Sequence, residues 1–174
     1  MEEISCAPQY RAEGPYPEVR AEGRHRQYGQ AILSNVGGGE SEMGSVARYL
    51  YGNFIQEGRP EVAECLEQIA IVEMHHLAIF SRLARQLGED PRLWGPFRGR
   101  RRYWTPEYLR YPRGLDQFLR YSIDEERSAI QKYRQQAMWI KDGSVVANLR
   151  RIIEDEEVHI EVLTGLLKGY CSAP

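Results

Sequence analysis

Residues 60–88 read PEVAECLEQIAIVEMHHLAIFSRLARQLG, and their periodicity decides the fold. Val62, Leu66, Ile69, Val72, Phe80, Leu83 and Leu87 recur at helical spacing, so the segment predicts one long amphipathic helix. Pro60 suits its first turn and Gly88 its end. The apolar stripe is interrupted by Glu73 and His76, which therefore point inward, where an unpartnered carboxylate is very costly.

The same interruption recurs near the C-terminus. A helix opening with Ser144 as N-cap and stopping at Gly169 carries Leu149 and Ile152, then Glu156 and His159, then Leu163 and Leu167 on one face. Spacing i to i+3 places carboxylate and imidazole about a turn apart on that face, close enough to share one metal or flank a pair. Two bound cations would compensate the buried charge. Oxygen and imidazole donors suit iron or manganese better than thiolate-preferring metals.

Two more helices supply in-register carboxylates. Helix one spans about Arg26 to Gln56, with Ile32, Leu33, Val36, Val46, Tyr49, Leu50 and Phe54 on its stripe, and Glu42 lies in phase with Val46, Tyr49 and Asn53. The triplet Gly37-Gly38-Gly39 either breaks this helix or serves close packing, because each interior glycine costs up to about 1 kcal/mol. A break would leave Glu42 in the first turn of the following helix. Helix three spans about Leu115 to Lys141, and Glu126 shares a face with Leu119, Ile123, Ile130 and Tyr133. The expected metal ligands are Glu42, Glu73, His76, Glu126, Glu156 and His159, with the carboxylates from helices one and three bridging two ions. The neighbouring acids Glu40, Glu125 and Glu157 could take the place of the chosen glutamates, one position being only about 100° of helix rotation, but Glu42, Glu126 and Glu156 are the ones in phase with the apolar stripe. His75 falls on an adjacent face.

The connection from Glu89 to Gly114 has no period and is rich in proline, arginine and aromatic residues. A link of that length crosses a bundle from end to end, whereas short loops join antiparallel neighbours. The expected fold is therefore all-α: a four-helix bundle over 27–170 with a crossover over 89–114 between helices two and three. A proline-containing arm (1–26), lying on the bundle or on a partner subunit, precedes it, and a short tail (171–174) follows.

The segments GGESEMGSVARYLY (38–51), IAIVEMHHLAIFSRL (69–83), IDEERSAIQKYR (123–134) and IIEDEEVHIEVL (152–163) resemble the four metal-binding helices of the ferritin-like superfamily. The similarity covers about residues 27–168 and is nearest to rubrerythrin-like and manganese-catalase-like proteins and to bacterioferritin. It implies a dinuclear site. It also implies that Tyr49 and Tyr133, each seven residues after a ligand glutamate, face that site as proton or radical partners; core packing explains them equally well. Asp155 stands beside Glu156 as in bacterioferritin, and Met74 matches that family's haem-ligating methionine, although packing is the commoner role. The extra helix-three glutamate of rubrerythrins is missing, with Ile123 and Ala129 in its place.

Composition narrows the rest. The chain has 174 residues and a formal charge of -2, from 23 basic and 25 acidic side chains, so no overall polarity draws it to nucleic acid or an anionic membrane. Cys6, Cys65 and Cys171 form no C-x-x-C pair and read as reduced thiols. The start has no signal-peptide pattern and no run approaches a membrane span, so a cytoplasmic protein is expected. The crossover arginines Arg98, Arg100, Arg101, Arg102, Arg110 and Arg113 alternate with aromatics, whose rings are expected to pack on the bundle or on a second subunit, as at a homodimer contact, leaving the arginines in solvent rather than gripping a nucleic acid strand. The functional expectation is an oxidoreductase acting on peroxide or dioxygen with an unidentified electron donor. The alternative is a ferroxidase or iron-storage protein.

Overall fold

Helix one breaks at its glycines. The computed structural model describes residues 10–56 and 58–171. It divides the first helix into α1 (Arg26–Gly37) and α2 (Glu42–Ile55), so that Glu42 opens α2. Lys132 closes the gap by donating from Nζ to the carbonyls of Ser34 (3.1 Å) and Glu40 (2.6 Å). The break also admits a neighbour: a Cβ at Gly37 would lie 2.4 Å from the backbone nitrogen of Trp94. Phe54, placed on the stripe by its spacing, is 71% exposed, because the last turn of α2 presents Gly52 rather than Phe54 to the core.

After α3 (Pro60–Gln86), the crossover forms a short hairpin of β1 (Trp94–Phe97) and β2 (Arg100–Tyr103), where the sequence showed no strand alternation. Positive φ at Arg98 (46°) and Gly99 (75°) makes the two-residue turn that matches strand twist. The crossover rings are shared between two faces. Trp94, Trp104 and Tyr108 are half-buried on the bundle, whereas Phe97, Tyr103 and Tyr111 are exposed on the single chain. Arg101 stacks on Trp94 and Arg102 on Phe97.

The chain then forms α4 (Leu115–Trp139) and α5 (Gly143–Cys171). Asp142, not Ser144, caps α5: its carboxylate accepts from the Val145 amide at 3.0 Å, while the Ser144 hydroxyl donates to Glu18 O. The paired α1 and α2 run antiparallel to α4, as Asn35 meets Gln136, Glu42 meets Tyr133 and Gly52 meets Phe118. In turn α3 faces α5 antiparallel, with His76 beside Asp155 and Glu73 beside His159. This is the ferritin-like bundle with one crossover.

Two apolar clusters fill its interior. One contains Ile79, Phe80, Ile130 and Ile152, the other Ile69, Leu119, Ile123 and Leu163. On α3, α4 and α5 the expected ligands fall between the residues of these two clusters, which gives a polar layer between apolar caps. Close approach of α2 to α4 depends on Gly52, whose Cβ would fall 2.3 Å from the Phe118 ring. Gly52→Ala is expected to cost about 1–3 kcal/mol through overpacking, seen as a Tm lower by several degrees. An unchanged Tm would show that the Phe118 ring can move aside.

Residues 10–25 of the arm lie along the bundle. The Ala21 amide donates to Gln86 Oε1 (2.6 Å) and the Glu22 amide to Asp142 Oδ2 (2.7 Å). Residues 1–9 of the arm and 172–174 of the tail lie outside the described residues. Cys65 is disulfide-bonded, which overturns the reading of three reduced thiols. No helix among the described residues is long and apolar enough to cross a membrane.

Candidate metal centre

Glu42, Glu73, His76, Glu126, Glu156 and His159 converge on one buried layer, none more than 1% exposed. Two overlapping groups can each hold an ion: Glu42, Glu73, His76 and Glu156, and Glu73, Glu126, Glu156 and His159, with the offered atoms of each within 4.8 Å of one another. The carboxylates common to both groups are Glu73 and Glu156. A carboxylate shared by two ions would therefore come from the two Glu-x-x-His helices, whereas Glu42 and Glu126, expected as bridges, each belong to one group. The cause is the antiparallel apposition of α3 and α5, which carries each glutamate across to the other helix's imidazole: Glu73 Oε1 lies 3.3 Å from His159 Nδ1, and Glu156 Oε1 lies 3.3 Å from His76 Nδ1. Within each helix the i, i+3 contacts are 3.3 Å for Glu73–His76 and 2.9 Å for Glu156–His159.

The tyrosines serve the opposite helix. Tyr49 on α2 donates to Glu126 on α4, and Tyr133 on α4 donates to Glu42 on α2, so each hydroxyl fixes a glutamate. Burial, together with the adjacent carboxylate, raises both phenols well above their ordinary range. Both groups thus stay protonated donors at neutral pH.

Partners of the ligands were partly missed by sequence reasoning. Arg48 is buried and donates to Glu126 Oε1 at 2.6 Å. His76 Nε2 contacts Asp155 Oδ2 at 2.9 Å; that carboxylate also accepts from Tyr16 (2.6 Å), the Ala12 amide (2.7 Å) and Arg151. The Arg151–Asp155 pair was legible as an i, i+4 pair of opposite charge. Burial opposes ionisation of Asp155, but these donors outweigh it and hold the carboxyl well below its usual range. Glu40 and Glu157 are exposed, and Glu125 is half-buried at 3.9 Å from Arg48. His75 is exposed, edge-on to Tyr16. Met74 is 45% exposed on the outer face of α3, so it fills no core gap.

Without an ion, protons must balance the layer. Burial disfavours a charged His159, but Glu156 and Glu73 outweigh it and push its pKa up to about 10. Burial raises the Glu126 carboxyl to about 8 despite the opposing charge of Arg48. Burial and the charge of Glu73 raise Glu42 well above its ordinary range. Glu73 Oε1 and Glu126 Oε2 make no hydrogen bond among the described residues. Buried acceptors left this way suit cations, and four carboxylates would neutralise two divalent ions.

Fold and cluster together define a ferritin-like bundle with a carboxylate–histidine centre. The family model described as Rubrerythrin matches residues 32–167, and the chain belongs to that family. The structure is similar to KatB, a manganese catalase from Anabaena, with a TM-score of 0.81 at 20% identity over 94% of this chain and 82% of that one. It is also similar to Rhodobacter capsulatus bacterioferritin, whose structure has a metal-free dinuclear site and haem iron, with a TM-score of 0.70 at 20% identity over 86% of this chain and 88% of that one. No curated protein matches the chain.

Proposed function

We propose that the chain is a dinuclear iron or manganese protein and an oxidoreductase acting on hydrogen peroxide, held by Glu42, Glu73, His76, Glu126, Glu156 and His159. The observation that carries this reading is the pair of overlapping four-residue groups sharing Glu73 and Glu156, both fully buried. Two redox-active ions held there would cycle between oxidation states, taking electrons from a reductant or from a second peroxide and passing them to peroxide. The protein's share is orientation: Tyr49 and Tyr133 aim the terminal carboxylates, and Asp155 aims the His76 ring and fixes its tautomer. The apolar clusters on either side keep bulk water from the layer.

Elemental analysis of protein purified without added metal tests the first half, with about two ions per chain expected. Oxygen evolution from peroxide tests the second. Evolution without a reductant identifies a catalase, and peroxide loss only with a reductant identifies a peroxidase. Fe(II) oxidation by dioxygen with no peroxide turnover, in an assembly far larger than the expected dimer on size exclusion, would replace this reading with ferroxidase and storage.

A further inference from the structure

The centre has an approximate twofold relation in its sequence. Glu42 and Tyr49 on α2 correspond to Glu126 and Tyr133 on α4, and Glu73 and His76 on α3 correspond to Glu156 and His159 on α5. Two positions depart from it. Arg48, before Tyr49, points its guanidinium at Glu126, whereas its counterpart Lys132, before Tyr133, donates to the Ser34 and Glu40 carbonyls and not to Glu42. Asp155, before Glu156, holds His76 Nε2 at 2.9 Å, whereas its counterpart before Glu73 is Val72, and His159 Nε2 has no hydrogen-bond partner among the described residues.

Both departures act in the same direction. An ion approaching Glu126 meets a carboxylate whose Oε1 already accepts from Arg48 and Tyr49, and it meets the fixed positive charge of that guanidinium. An ion approaching Glu42 meets a carboxylate that accepts from the neutral Tyr133 hydroxyl, and the Lys132 ammonium acts on it through space without a hydrogen bond. Like charges in a buried layer are weakly screened, so the Arg48 cation weighs most on the nearer ion. An imidazole whose second nitrogen is held by a carboxylate is oriented and made more basic, an outer-shell effect typically of about 10–100-fold in metal affinity. His76 has such a partner and His159 lacks it.

We infer that the two halves of the centre bind metal with unequal affinity: the Glu42–His76 half takes the first ion, the Glu126–His159 half takes the second, and Arg48 weakens the second step by competing for Glu126. This rests on the dinuclear reading above. It makes Arg48 a positioning residue that sets metal occupancy, and it makes a one-ion form a defined species.

The test is a titration of Mn(II) into the full, metal-free chain, following free Mn(II) by its magnetic resonance signal and the bound ion by its spectrum. At one equivalent the wild type should show an uncoupled, mononuclear spectrum, and at two equivalents a spin-coupled one, with the steps separated by about tenfold or more. R48Q should tighten the second step about tenfold or more and leave the first unchanged. D155N should loosen the first step by about 10–100-fold. Loss of a buried cation can prevent folding, so H76A and H159A provide an independent measurement on the native Arg48 background. H76A should weaken the one-ion step far more than H159A does.

A coupled spectrum already present at one equivalent would overturn the inference. So would R48Q leaving the second step unchanged, or H159A losing the first step while H76A keeps it. Failure of the dinuclear reading looks different: the wild type would then bind fewer than two ions at saturation, whatever the variants do.

Discussion

Glu73→Gln is expected to empty both halves of the centre. Glu73 is fully buried and offers oxygens to both groups, so neutralising it removes a ligand from each ion at once. Removing one partner from a buried ionic set costs about 3–5 kcal/mol, which corresponds to a loss of roughly 150-fold to several-thousand-fold in affinity. Protein isolated from cells and desalted should fall from about two ions per chain to almost none. Glu42→Gln touches one group only and should leave one ion bound. Helicity should persist in both variants, since the apolar clusters on either side are untouched. Retention of two ions by Glu73→Gln, measured by elemental analysis, would remove the shared role assigned to this residue.

Metal-free protein should lose stability on the alkaline side, and metal should abolish the loss. The folded His159, with a pKa near 10, lies above its ordinary value of 6.5, so its contribution is present below that value and disappears as pH rises through about 10. Glu126, raised from 4.5 to about 8, behaves in the same sense and loses its contribution as pH rises through about 8. Glu73 is displaced the other way: burial would raise it, but the His159 and His76 imidazoles beside it hold it well below 4.5, so its contribution fades in acid. Stability of the metal-free form should be highest at about pH 4.5, where Glu73 is already ionised while Glu126 and Glu42 keep their protons, and should decline from there as pH rises. It should fall by a few kcal/mol towards pH 9.5, about 5–10 °C in Tm. Ions displace these protons, so the loaded form should hold its Tm across that range while binding tightens as pH rises. Scanning calorimetry of chelated and reloaded samples measures both curves. A metal-free Tm that climbs from pH 6.5 to 9.5 would contradict the proton balance described for the layer.

The inward direction of Glu73, His76, Glu156 and His159 was legible because each replaces a hydrophobic residue on an otherwise regular stripe. Phase gives direction around a helix axis but not depth across a bundle, which is why the sequence could not tell bridging carboxylates from terminal ones. That distinction depends on how closely α3 faces α5. The Arg48–Glu126 and Tyr16–Asp155 contacts join residues far apart in the chain, and no local pattern announces them. The hairpin was hidden by its length: four-residue strands are too short to establish alternation, although Arg98-Gly99 is a two-residue turn signal between aromatic runs. Glycine at 37–39 carried two messages, a helix break and a close approach by β1, and both hold.

The position of α5 after the other three ligand-bearing helices sets the order in which the centre can assemble. Glu156 and His159 leave the ribosome after the other four ligands, and the Ala12–Asp155 and Tyr16–Asp155 bonds join residues 143 and 139 positions apart. Contacts of such separation form only after the intervening helices have packed. A nascent chain ending before α5 can offer Glu42, Glu73, His76 and Glu126, but neither complete group of four. Vectorial synthesis thus withholds a finished metal-binding layer from the cell until the bundle that insulates it can close.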